Sequence, residues 1–264
     1  MLAKLFRNLV DFSPKLSLRL WQLFYEFVAH RFKKLTNWKY MNYGFADTQG
    51  KVTDDFDTLS ENLYHHLFSK AQLTGKNILE IGCGRGGGCE LMLAHQPKMV
   101  TGLDFSENVI SFCKQTYQQA NLNFIAGNAE SLPFDNNSFD IIVNLESSHC
   151  YGNRGNFFKE VTRTLKPGGV FLYADFMGRV HYPKRPAQLT ECGLKVITEQ
   201  DITPNVLLAM ELSAPYKEAM IKKNVIKPFR KPINDFVGVP GSNIYNKFNS
   251  GETIYFSMLC QKGE

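Results

Sequence analysis

The run Ile78-Leu79-Glu80-Ile81-Gly82-Cys83-Gly84-Arg85-Gly86-Gly87-Gly88 constrains the fold more than any other stretch of the chain. A short apolar strand enters a glycine-rich turn, and a segment long enough for a helix follows. Glycine at such a turn lets the backbone approach a ligand closely, and the first N–H groups of the following helix face that ligand. Gly82, Gly84 and Gly87 satisfy G-x-G-x-x-G, so a dinucleotide has to be weighed against other nucleoside-bearing cofactors. Apolar runs recur at 76–81, 98–104, 122–126, 139–145 and 169–175, each preceded by a segment long enough for a helix. That alternation predicts a parallel sheet built from right-handed βαβ units. Two later β-rich runs, 194–202 and 252–261, flank a segment containing Pro204, Pro215, Pro228, Pro232 and Pro240, which reads as a helical insertion or lid. The 264 residues then divide into an N-terminal extension (1–54), a core (55–203 and 251–264) and the insertion (204–250).

Charge is unevenly placed. Residues 1–40 hold eight basic residues against Asp11 and Glu26, a net +6, whereas the remainder is close to neutral. The same segment is rich in Leu, Phe and Val, and Ser13-Pro14 suits the start of a helix running to about Lys34. Leu20, Phe24, Phe27 and Val28 would share one face of it. One reading is a helix lying in an anionic bilayer interface, with peripheral membrane contact through residues 1–35. The other is a helix that caps the core; a mitochondrial transit peptide is a third, weakened by Asp11 and Glu26. No run of 18 apolar residues occurs, and the six cysteines form no C-x-x-C pair. These features argue against a spanning helix, a disulfide framework and a zinc site, and favour a cytoplasmic protein, at the inner face of a membrane on the first reading.

The surroundings of the glycine turn narrow the ligand. Glu80 ends the strand two residues before Gly82, poorly placed beside a pyrophosphate and well placed for a ligand ammonium group. Asp104 ends the second strand, where a carboxylate can hold ribose hydroxyls, and Phe105 could pack on adenine. Gly127-Asn128-Ala129-Glu130 follows the third strand. With Phe139-Asp140-Ile141-Ile142-Val143 and Leu165-Lys166-Pro167-Gly168-Gly169, these motifs make the chain resemble the class I S-adenosylmethionine-dependent methyltransferases. The resemblance implies a Rossmann-like seven-stranded α/β sheet, mostly parallel with its last strand antiparallel, and helices on both faces. It also implies S-adenosyl-L-methionine bound by Glu80, Gly82, Cys83, Gly84, Gly86, Asp104, Phe105, Asn128, Ala129, Glu130 and Leu145. Asn128 departs from the acid more usual in the family, though its oxygen can still accept from the adenine amino group.

A hydroxyl acceptor needs a base, and the fourth strand runs into Glu146-Ser147-Ser148-His149-Cys150-Tyr151. Strand carboxyl ends line the crevice of such sheets, so His149 is the candidate general base; the bland alternative is a cap for the next helix. Glu146 is a second base candidate and Tyr151 a candidate for the acceptor pocket. Gly-Arg-Gly-Gly-Gly and Glu-Ser-Ser-His-Cys-Tyr resemble the branch containing phthiotriol dimycocerosate and rifamycin-type polyketide O-methyltransferases. By that resemblance Tyr43 and Tyr64 contact substrate or cofactor; alternatively they are ordinary core aromatics. The expected acceptor is a small hydrophobic molecule of lipid or polyketide type. An aliphatic and aromatic insertion, without interleaved basic residues, disfavours nucleic acid. Asp175 ends the fifth strand and could supply one metal ligand, but no second or third is evident, so no metal is expected. Three alternatives remain: N- or C-methylation of a small molecule, a non-catalytic cofactor-binding protein at a membrane, and a nicotinamide oxidoreductase. The absence of any Tyr-x-x-x-Lys weighs against the last.

Overall fold

The computed structural model describes residues 39–49, 53–227 and 230–264. The helix expected at Pro14–Lys34 lies outside the described residues, and so does the choice between its membrane and core-capping readings. Seven strands form one sheet: β1 (Asn77–Ile81), β2 (Met99–Asp104), β3 (Leu122–Ala126), β4 (Phe139–Leu145), β5 (Leu165–Gly178), β6 (Leu194–Asp201) and β7 (Thr253–Lys262). Their order is β3-β2-β1-β4-β5-β7-β6, with β7 antiparallel to both neighbours and the pairs from β3 to β5 parallel. This is the sheet that the sequence motifs imply.

Successive strand residues serve opposite faces, which is why the runs are apolar throughout rather than alternating. Ile78, Val143, Leu172 and Tyr255 pack on one side with Leu63 and Leu67 of α1 (Phe56–Phe68), Val109 and Cys113 of α3 (Glu107–Thr116), and Val206 and Met210 of α6 (Thr203–Leu212). Leu79, Ile142, Tyr173 and Phe256 pack on the other with Phe157, Phe158 and Val161 of α4 (Arg154–Thr164) and Leu189 of α5 (Arg185–Glu191). Helix starts are set locally: Asp55, Ser106 and Asn153 accept from the N–H groups of Thr58, Val109 and Asn156. The short α2 (Gly87–Met92) follows the glycine turn. Between β6 and β7 the chain forms α6, α7 (Ala214–Asn224), α8 (Arg230–Val237) and α9 (Asn243–Asn249).

Two details differ from the sequence reading. Residues 127–138 precede β4 without a helix, because Gly127, Pro133 and a left-handed Asn137 (φ 57°) turn the chain repeatedly. Strand β5 starts at Leu165, so Pro167-Gly168-Gly169 lies inside it instead of before it; the pairing advances from Phe139↔Leu165 to Ile141↔Val170 across an irregularity at left-handed Gly168.

The site is positioned by topology. From β1 the sheet grows one way through β2 and β3 and the other way through β4 and β5. Where strand order reverses, the loops leaving adjacent carboxyl ends diverge and open a crevice, here between the loops after β1 and β4.

Candidate active site

Glu80 is almost fully buried (1% exposed) near the carboxyl end of β1. Its Oε1 accepts from the Tyr64 hydroxyl at 2.9 Å and its Oε2 from the Cys89 thiol at 2.9 Å. Burial dominates and raises its pKa to about 7, although both hydrogen bonds favour the carboxylate. Tyr64 therefore does more than fill the core: it orients this acid. Gly88 makes the approach possible, since a Cβ there would lie 2.3 Å from the Tyr64 ring and 2.6 Å from Glu80 Oε1.

The turn from Gly82 to Gly86 is tied to β2. The N–H groups of Gly82 and Cys83 both donate to the Leu103 carbonyl, and that of Gly84 donates to Asp104 Oδ2 at 3.0 Å. Asp104 Oδ1 accepts from Ser106 N. Gly82 is left-handed (φ 76°), and a Cβ on it would stand 2.3 Å from Ser147 Oγ. Cys83 is buried, with its carbonyl accepting from Gly86 N; Phe105 is half-buried beside Asp104.

After β3, Asn128 is exposed and its Oδ1 accepts from Glu130 N at 2.9 Å, while Ala129 is buried. Glu130 Oε1 accepts from Gly152 N and Asn153 N at 2.8 and 3.0 Å. That carboxylate fastens the loop that carries His149, a structural task the sequence does not announce.

Beyond Leu145, which is buried, Glu146 adopts a left-handed conformation (φ 51°) that is costly for a residue with a side chain. Three bonds compensate: its N–H donates to the Ala174 carbonyl, and its Oε2 accepts from Tyr43 N at 3.0 Å and from the Tyr255 hydroxyl at 2.9 Å. Burial is the main reason its pKa rises to about 7. The turn delivers Ser147, whose Oγ lies 2.8 Å from the Tyr151 hydroxyl, with the Asn144 amide donating to both. Tyr151 thus stands next to Gly82. Tyr43, by contrast, packs on Phe176 and Phe248 and donates to the Phe236 carbonyl at the end of α8, so it joins the β4 loop to the 203–249 helices.

His149 does not cap the next helix, because Asn153 performs that task. Its Nδ1 lies 2.8 Å from Oδ1 of Asp175, and its backbone N–H donates to Oδ2 at 3.0 Å. Asp175 ends inside β5 at 1% exposure and also accepts from Ser148 Oγ and Phe176 N. The imidazole rests against the Phe176 ring at 4.3 Å. Burial alone would lower the His149 pKa, but Cys150 and the Asp175 carboxylate prevail, holding it well above the ordinary histidine value. Asp175 is in turn held below the ordinary carboxylate value: burial opposes this, and His149 outweighs it. Cys150 acts on the same ring, so the imidazole is engaged by both Asp175 and its chain neighbour. Sequence reasoning places Asp175 at the end of the fifth strand and reaches it only as a lone metal ligand; β5 in fact continues to Gly178 by pairing with β7, and Asp175 meets His149 from within the strand. Among the described residues, no three His, Cys, Asp or Glu side chains gather to hold a metal ion.

A buried acid on β1, a glycine turn held to β2, and a second acid at the end of β2 form a donor set suited to an amino-acid ammonium and a nucleoside. The comparisons with known proteins agree. Residues 79–173 match the family model described as a methyltransferase domain. The chain is 31% identical over 242 residues to the phthiotriol/phenolphthiotriol dimycocerosates methyltransferase of Mycobacterium leprae (strain TN), covering 90% of each protein. It is 31% identical to the fatty-acid O-methyltransferase of Mycolicibacterium smegmatis, covering 90% of this chain and 88% of that one. Its fold matches the crystal structure of geranyl diphosphate C-methyltransferase from Streptomyces coelicolor A3(2), in complex with Mg2+, geranyl diphosphate and S-adenosyl-L-homocysteine. That match has a TM-score of 0.66 at 15% identity and covers 90% and 97% of the two chains. The chain is an S-adenosylmethionine-dependent methyltransferase and belongs to the family of the phthiotriol/phenolphthiotriol dimycocerosates methyltransferases.

Proposed function

We propose that the enzyme methylates a hydroxyl of a lipid-like or polyketide molecule, with His149 as the general base. The observation that carries this reading is the His149–Asp175 pair at the carboxyl edge of β4 and β5. S-adenosylmethionine supplies a methyl group on a sulfonium. The chain's own residues bind, orient and deprotonate around it. Glu80, oriented by Tyr64 and Cys89, receives the ammonium group of the donor. Asp104 receives its ribose hydroxyls. Gly82, Cys83, Gly84 and Gly86 supply backbone, and Phe105, Asn128, Ala129 and Leu145 line the adenine side, while the Glu130 carboxylate holds the loop after β4. With the bound donor supplying the methyl group to the acceptor oxygen, the hydroxyl proton would pass to the His149 imidazole. Asp175 stabilises the imidazolium that results. Tyr43 and Tyr151 face the acceptor pocket, Tyr64 serves the cofactor, and the 204–250 segment acts as a lid that keeps water out. The names of the relatives support a lipid acceptor, and the basic, apolar residues 1–35 support a position at the inner face of a membrane.

The test begins with calorimetric titration of S-adenosylmethionine and of NADH, followed by methyl-transfer assays on hydroxylated lipids. Donor binding with product formation that falls about a hundredfold or more in His149→Ala is the expected result. Undiminished turnover in that variant would remove the base and favour an amine or carbon acceptor. Donor binding without turnover on any acceptor would favour a non-catalytic role.

A further inference from the structure

Lys217 is a buried cation that this mechanism does not use. It lies on α7 at 3% exposure, on the same side of the helix as Ala214 and Ile221, both buried. Among the described residues its Nζ makes no hydrogen bond, and it lies over the face of the Phe56 ring, 5.5 Å from the centroid, at the start of α1. Leaving an ammonium group in such a setting costs several kcal/mol in principle, and a helix of this kind could carry Met or Leu there instead. Glu146 acts on it through space, yet no hydrogen bond joins them. Oε2 of that acid is already taken by Tyr43 N and the Tyr255 hydroxyl. Burial lowers the Lys217 pKa to about 8, so near neutrality the group is still mainly cationic. A charge of this kind, held between β6 and β7 and interacting electrostatically with Glu146 at the start of the loop that carries His149, has one evident use.

We propose that Lys217 Nζ binds an anionic group, carboxylate or phosphate, of the acceptor lipid, so that the substrate is a hydroxylated amphiphile with an ionised end. This rests on the lipid-acceptor reading above. An anion neutralised by a buried ammonium is a poor nucleophile, so the bound group anchors the molecule while a hydroxyl elsewhere on it meets His149. Phe56 and the apolar side of α7 would flank the bound end, in keeping with the aliphatic character of the lid.

The experiment uses the full chain loaded with S-adenosylhomocysteine and three probes of equal chain length: dodecanoate, dodecyl phosphate and 1-dodecanol. Wild type should bind at least one of the two anions about tenfold or more tightly than the alcohol. Lys217→Met should lose that preference while binding the alcohol unchanged, and Lys217→Arg should restore most of it. The two anionic probes tell carboxylate from phosphate. The ligand-free melting temperature of Lys217→Met should equal or exceed that of wild type, because a buried charge has been replaced by an apolar side chain. Equal affinity of wild type for the alcohol and both anions overturns the anchor and leaves the lipid reading intact. So does an equal loss of all three probes in Lys217→Met, or a lower melting temperature with unchanged preference. Binding of none of the probes by wild type overturns the lipid reading and the anchor with it.

Discussion

Single carboxylates set the behaviour of this site because each is buried among partners that decide its charge. Glu80 has its pKa raised to about 7 by burial, so the neutral acid gains population as the pH falls below that value. A neutral acid cannot pair with an ammonium group. Affinity for S-adenosylmethionine should therefore weaken as the pH drops through about 7, and Glu80→Gln should bind about tenfold or more weakly with a flat pH profile. Calorimetry from pH 6 to 8 reads both, and a wild-type affinity that does not change with pH would count against the assignment. The second case runs on a raised histidine. With its pKa held well above the usual value by Asp175 and Cys150 against burial, His149 is protonated at lower pH and becomes a base only as the pH rises. The rate should climb with pH, and Asp175→Asn should move the midpoint of that rise to lower pH while reducing the limiting rate. A midpoint unmoved by the substitution would mean that the rise belongs to another group.

At the scale of elements, the glycine turn works because neighbouring elements come unusually close to it. Helix α2 can lie against α1 only because Gly88 has no side chain, and that proximity is what lets Tyr64 reach Glu80. Gly88→Ala should cost about 1–3 kcal/mol of stability and weaken donor binding as Tyr64 is displaced. Thermal melts and the same titration would show it; a variant with wild-type stability and affinity would mean that α2 shifts freely. The loop after β4 depends similarly on a remote element. Glu130, after β3, accepts from the N–H groups of Gly152 and Asn153 and so fixes the far end of the segment that begins at Glu146. Its truncation is a test of positioning: Glu130→Ala should lower kcat through His149 more than it changes donor affinity.

For the whole molecule, the decisive strand is the last. β7 lies between β5 and β6, and among the described residues β6 pairs with no other strand. Tyr255 belongs to the packing on one face and Phe256 and Met258 to the other, so β7 closes both sides at once. A chain ending at Gly251 should lose cooperative folding altogether, seen as loss of the near-ultraviolet circular dichroism signal and of a thermal transition. Retention of a sharp transition would show that β1 to β5 fold as an independent unit.

The five apolar runs, the glycine turn and the acids at the ends of β1 and β2 were legible in the sequence because each is a local pattern. A buried parallel strand needs a continuous apolar run, and a tight strand-to-helix turn needs glycine. The antiparallel final strand was legible only through family resemblance. Local patterns also misled where turn residues and a bulge intervened, in residues 127–138 and at Pro167-Gly168. Chain order says nothing about which side chains meet across the crevice. Asp175 and His149 are 26 positions apart and Tyr43 and Glu146 are 103 apart; folding joins them by placing β4 beside β5 and the pre-helical segment over the β4 loop. The chemical potential of the acids and of Lys217 was equally hidden, since it arises from burial and from partners supplied by other elements. The sequence by itself determined the sheet and the class of donor; only the tertiary structure decided that His149 meets Asp175, which acid holds which loop, and which buried ammonium makes no hydrogen bond among the described residues, because each of these depends on elements far apart in the chain.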